Sequence, residues 1–114
     1  MRIDSARMVS LYAELGERGA GQLIERAMEE MSARLTEIQR HADEGDAEAL
    51  IKSARLLSKM AEQVGMQSFA TVAGDVMKAM RAKDGPGLAA TLARLQRIGD
   101  RSLSAVWDLH DMTI

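Results

Sequence analysis

The chain has 114 residues, of which 46% are apolar and 28% charged, values typical of a single globular domain spanning residues 1–114. It has no cysteine and two histidines, which excludes disulfides and thiolate chemistry, and we predict that it binds no metal and no cofactor. The net charge of -2 argues against nucleic acid as a partner. The lack of a long apolar run or an apolar leader argues against association with a membrane, so we expect a cytoplasmic protein.

The composition favours helices. There is one proline, and aromatic residues make up only 3% of the chain. Alanine, leucine, methionine, glutamate and arginine dominate, and all of these are good helix formers. We therefore predict an all-α domain in which the nine methionines fill the core, as flexible side chains commonly do.

Two helices are predicted before the first tight turn. A short one starts at Asp4 and ends before Gly16, and its apolar positions are Met8, Leu11, Tyr12 and Leu15. The second carries a stripe with steps of three and four residues, made of Ile24, Met28, Met31, Leu35, Ile38 and Ala42. Gly45 and Asp46 then predict a tight turn, in which the glycine closes one helix and the aspartate caps the next.

Three more helices are predicted after this turn. The third has an apolar face made of Leu50, Ala54, Leu57, Ala61 and Val64, and it ends at Gly65. The fourth runs over about residues 67–82 and buries Phe69, Val72, Ala73, Val76 and Met80. The last helix starts at Pro86 after a turn at residues 83–87, and its stripe is Leu88, Leu92, Leu95, Gly99, Ser102, Val106 and Leu109.

Four long amphipathic helices joined by short turns predict an antiparallel up-down-up-down four-helix bundle. We expect the short N-terminal helix to cover one end of this bundle, with Trp107 packed under it. Gly99 is small enough to let a neighbouring helix approach closely. Gly74 and Gly99 also leave open the close packing of two copies, so a homodimer remains an alternative.

The third and fourth predicted helices carry a recognisable pattern. The text EGDAEALIKSARLLSKMAEQVG is followed by MQSFATVAGDVMKAMRAKD. It resembles the histidine-containing phosphotransfer (HPt) domain of bacterial two-component phosphorelays, in which a GD-like turn precedes an acceptor helix reading roughly AHxLKGxAxxxG. The matching residues are Ala54, Leu57, Ala61 and Gly65, and Phe69 and Ala70 stand where the family often has LA. The resemblance extends over about residues 4–110 and implies the family's four-helix bundle.

The acceptor position departs from the family pattern. Arg55 stands where the phosphoryl-accepting histidine is expected, and Ser58 and Lys59 replace the lysine and glycine that follow it. Phosphoryl transfer through a side-chain nitrogen needs a neutral lone pair, whereas a guanidinium stays protonated. The larger Lys59 also fills the space that the family glycine leaves for a partner. The resemblance therefore implies a pseudo-HPt signalling module, and the replaced acceptor argues against phosphotransfer at this position.

The partner implied by the resemblance is the receiver domain of a response regulator, and a histidine kinase is a second potential partner. The residues expected to contact the partner are Lys52, Arg55, Ser58, Lys59 and Glu62. Arg55 is suited to charge-assisted hydrogen bonds with the acidic pocket that receiver domains use for phosphorylation. The alternative interpretation is a solvated helix face with no binding role.

Two other functions stay open. His41 lies across the predicted turn from Arg55, at an axial level about 6 Å away, so phosphate carried on His41 is one alternative. His110, near the end of the chain, is expected to be a surface residue. The other alternative is a structural bundle that dimerises through a helix face and has no part in a phosphorelay.

Overall fold

In this computed structural model, the backbone is described for residues 5–113, and side chains are described for all of these except residues 5, 8, 102, 103 and 105–113. The described residues form helices and no strand, which confirms the all-α prediction. The helices are α1 (Ser5–Glu44), α2 (Ala47–Gln63), α3 (Gln67–Arg81) and α4 (Gly85–Thr113). Within the described part of the chain, no helix is long and apolar enough to cross a membrane.

Helix α1 is interrupted at Gly16. This residue has φ 72° and ψ 171°, a conformation that is costly for residues with a Cβ, and the residues on both sides are helical. Leu11, before the interruption, is buried as predicted, but Leu15 is 48% exposed. Leu15 belongs to the predicted apolar stripe of the first helix but directly precedes the interruption and does not join the core.

The turn between α1 and α2 has the predicted chemistry. Gly45 has φ 72°, which closes α1, and the backbone N–H of Asp46 donates to the carbonyl of His41 at 2.9 Å. The side chain of Asp46 accepts a hydrogen bond from the N–H of Ala49 at 3.1 Å, so Asp46 caps α2. The next turn, between α2 and α3, contains Gly65 at φ 80°.

The turn between α3 and α4 depends on Asp84. Its Oδ1 accepts a hydrogen bond from the N–H of Gly87 at 2.9 Å, at the start of α4. Lys83, just before it, has φ 54°, a conformation that residues with side chains adopt rarely. Pro86 lies in the first turn of α4, where the missing N–H leaves no hydrogen bond broken.

The core lies where the predicted stripes meet. Each helix packs against the next one in the chain, and α4 also packs against α1, whereas the described residues of α1 and α3, and of α2 and α4, do not approach closely. The fully buried large side chains are Leu11, Ile24, Met28, Met31, Ile38, Leu50, Leu57, Met66, Phe69, Val72, Val76 and Leu95. Met66 is the one member of this set that the stripes did not include, because it lies in the turn before α3.

Gly99 is buried where helix α4 packs against α1. A Cβ on Gly99 would lie 2.7 Å from Cδ2 of Leu35 in α1 and 3.4 Å from Cζ of Phe69 in α3. The predicted close approach at Gly99 is confirmed. The side chains of Ser102, Val106, Trp107 and Leu109 lie outside the described residues, as does that of Met8.

Candidate docking surface on helix α2

The outer face of α2 carries three cations, Lys52, Arg55 and Lys59, which we call the basic strip. All three side chains are exposed. They lie opposite a fully buried face that includes Ala54, Leu57 and Ala61. Because residues three and four apart share a helix face, packing of the apolar side into the core places the basic strip in solvent.

The basic strip forms no ion pair among the described residues. Arg34 pairs with Glu37 at 2.8 Å and Arg40 pairs with Glu44 at 4.0 Å, both on α1, and neither pair includes a member of the basic strip. Glu48 and Glu62, at the two ends of the strip, are exposed and form none of these pairs. The strip therefore presents three exposed cations with an exposed carboxylate at each end.

Ser58, also expected to contact a partner, is half-buried. Its Oγ donates a hydrogen bond to the carbonyl of Ala70 on α3 at 2.9 Å. The hydroxyl therefore links α2 to α3, and it identifies the side of α2 that faces α3. Arg55 lies one helical turn before Ser58 on that same side.

His41 lies on a different side of the molecule from Arg55. It is half-buried in the last turn of α1, and its Nδ1 is buried with no hydrogen-bond partner among the described residues. The face of α1 that carries His41 also carries Ala27, which lines a groove with Met60 of α2. Arg55 is about 140° around α2 from Met60, so the helices do not bring His41 and Arg55 together. The side chain of His110 lies outside the described residues.

The groove lies between α1 and α2. It has a volume of about 250 Å³, and its lining includes Leu23, Ala27, Met60 and Val64. The lining also includes the charged or polar Arg7, Arg26, Glu30 and Gln63. Leu23 is 40% exposed. The N-terminal part of α1 closes one end of it, because Nε of Arg7 donates to the carbonyl of Gln63 at 2.8 Å.

Sequence reasoning missed two cations on the neighbouring helix. Lys78 and Arg81 of α3 are exposed, and neither forms one of the ion pairs found among the described residues. Ala70, Gly74 and Lys78 are spaced four residues apart, so they follow one side of α3, the side on which Ala70 meets Ser58. That spacing is visible in the sequence, but the side of α3 that faces α2 is not.

The described residues include no group of three or more histidine, aspartate or glutamate side chains placed to hold a metal ion.

The chain matched no protein-family model, no curated protein and no solved structure. Its function has therefore to be inferred from its own residues and their positions.

Proposed function

We propose that the chain is an HPt-like signalling module, without an acceptor histidine at the usual position, that docks on the receiver domain of a response regulator. In this proposal the helices run up-down-up-down, the segment before Gly16 is a short N-terminal helix over one end, and the protein acts in a cytoplasmic phosphorelay. Short turns between helices that pack side by side support the antiparallel course.

The observation that carries the proposal is the exposure of Arg55. It stands at the position where the HPt pattern has its phosphoacceptor, on the outward face of α2, and it has no ion-pair partner among the described residues. Arginine presents a planar fork of donors that pairs with carboxylates. Lys52 and Lys59 extend the positive charge by one turn on either side. An acidic receiver pocket is the complementary surface.

A binding titration tests this proposal. The purified domain is titrated with the receiver domains of its own organism, alongside the variants Arg55→Glu and Arg94→Glu. Arg94 is an exposed arginine on α4 and serves as the matched control. We expect micromolar binding to one receiver, weakened at least about tenfold by Arg55→Glu and unchanged by Arg94→Glu. Failure of every receiver to bind would overturn the proposal.

A gain-of-function variant adds a second criterion. Replacement of Arg55 by histidine returns a neutral nitrogen nucleophile to the acceptor position. We expect Arg55→His to accept phosphate from the phosphorylated form of the receiver that binds, and the parent chain to accept none at that site. If the parent chain is labelled and the variant His41→Gln is not, phosphate is carried by His41 and the pseudo-HPt proposal is wrong.

The third function, a bundle that dimerises and binds no receiver, is separated by mass measurement. It predicts a stable dimer in sedimentation experiments and no receiver binding. A monomer that binds a receiver excludes it.

A further inference from the structure

Gly74 lies in the middle of α3 and faces open space. No atom outside the backbone of its own helix lies within 4 Å of the position that a Cβ would occupy. Glycine inside a helix lowers its stability relative to alanine, because the unfolded chain has more freedom to lose. Packing among the described residues gives no reason for a glycine here, in contrast to Gly99, where a Cβ would meet Leu35.

The hydrogen bond from Ser58 to Ala70 fixes which residues flank this open space. Helices α2 and α3 pack side by side and leave the same short turn at Gly65, so they run in opposite directions from it. Moving away from the turn, Arg55 lies one helical turn from Ser58 on α2, and Gly74 lies one helical turn from Ala70 on α3. Arg55 and Gly74 therefore lie at about the same height along the two helices. The following turn of α3 carries Lys78, whereas Lys52 of α2 is rotated about 120° from Ser58 and lies on the outer face.

Exposed cations therefore border a notch in the surface between α2 and α3. Arg55 stands on one side of it and Lys78 on the other, and neither forms an ion pair with a carboxylate among the described residues. Without a side chain at position 74, another molecule can approach the backbone of α3 closely.

We infer that this notch at Gly74 is a seat for a carboxylate-bearing loop of an acidic protein partner, held between Arg55 on α2 and Lys78 on α3. The inference rests on the proposed function only in that a receiver domain is the expected owner of the loop. The inference extends the docking surface from α2 to α3. It also makes binding depend on the absence of a side chain at position 74.

Charge favours a protein loop over nucleic acid as the occupant. The basic strip from Lys52 to Lys59 is about 10 Å long, and the acidic Glu48 and Glu62 bound it at both ends. A phosphate backbone extends well beyond that length and would pass these carboxylates, in a chain whose net charge is already -2. A small cluster of carboxylates matches the available positive charge.

The test changes shape and charge separately. The variants are Gly74→Leu, which fills the notch, Lys78→Glu, which reverses the charge beside it, and Arg94→Glu as the control. The probes are the receiver domain that binds the parent chain, an aspartate and glutamate peptide, and a short single-stranded DNA. We expect both Gly74→Leu and Lys78→Glu to weaken receiver binding about tenfold, with Arg94→Glu unchanged. Thermal unfolding of each variant checks that the fold is kept.

The outcomes separate this inference from the proposed function. If Arg55→Glu weakens receiver binding but Gly74→Leu does not, the seat at Gly74 is wrong while the receiver proposal stands. If no receiver binds but the acidic peptide does, and Gly74→Leu and Lys78→Glu weaken it, the seat stands and the receiver proposal fails. Binding of the DNA alone, or of no probe, overturns the seat. A shift of the Gly74 amide resonance during the titration provides an independent readout of contact at this position.

Discussion

Two glycines in the middle of long helices have opposite surroundings. Gly99 of α4 is buried, and a Cβ there would lie 2.7 Å from Cδ2 of Leu35, whereas a Cβ on Gly74 of α3 would meet nothing within 4 Å. The first glycine is required by the packing of three helices, and the second is not required by any packing among the described residues. The presence of a glycine in a helical sequence pattern therefore does not reveal its role. That role depends on which side chains of neighbouring helices lie against the glycine.

The largest effect is expected at the packed region around Gly99. Phe69, whose ring lies near Gly99, is fully buried. Phe69→Ala removes a large buried side chain and leaves a cavity, so the free energy of unfolding should fall by about 4 kcal/mol. Urea denaturation measures this, with Lys78→Ala, on the open side of the same helix, as a control that should change little. A loss below about 1 kcal/mol would contradict a packed core at Phe69.

The next largest effect compares the two glycines directly. Gly99→Leu places a branched side chain against Leu35 and Phe69, and we expect a loss of about 3 kcal/mol from overpacking. Gly74→Leu adds the same atoms where no neighbour lies within 4 Å and should not destabilise the domain. A double variant with Leu35→Ala should recover part of the loss at position 99, since the two residues are in contact. Equal effects of leucine at both positions would remove the distinction between them.

A smaller effect is expected at the link between α2 and α3. Ser58→Ala removes the hydrogen bond to the carbonyl of Ala70 and should lower the free energy of unfolding by about 1 kcal/mol relative to its control. The control is Ser32→Ala, an exposed serine inside α1, which undergoes the same change in helix propensity. If the two substitutions have the same effect, the bond contributes nothing to the pairing of α2 and α3.

The smallest effect is a gain of stability at the open glycine. Gly74→Ala should raise the free energy of unfolding by about 0.5 to 1 kcal/mol, because alanine favours the helix and the added methyl group meets no neighbour. Thermal unfolding at fixed protein concentration measures the change. Destabilisation by alanine would show that position 74 is crowded and would remove the notch from the α2–α3 surface.

Much of the helical pattern was predictable from the sequence. The stripe from Ile24 to Ile38 and the face from Leu50 to Val64 are buried as their spacing indicates, because a regular helix always turns such positions to one side. Asp46 caps α2 for an equally local reason, since its side chain reaches an N–H three residues later. Leu15 was placed in an apolar stripe but is exposed, and it directly precedes the interruption at Gly16. Met66 was missed because it lies in a turn, outside the helical stripes.

The candidate site was predictable only on a single helix. The exposure of Lys52, Arg55 and Lys59 follows from the apolar face on the other side of α2, which is visible in the sequence. Lys78 was not included because its position relative to α2 depends on how α3 is rotated against that helix.

The sequence by itself determined that the domain is helical, where the turns at Gly45 and Gly65 fall, and that Arg55 is exposed on the side of α2 opposite its apolar face. These properties depend on contacts within a few residues, which helical geometry makes regular. The tertiary structure alone decided that Gly99 is enclosed, that Gly74 is open, and that Ser58 of α2 meets Ala70 of α3. Those properties depend on the register and rotation of one helix against another, which contacts such as the Ser58 hydrogen bond to Ala70 fix and no local pattern encodes.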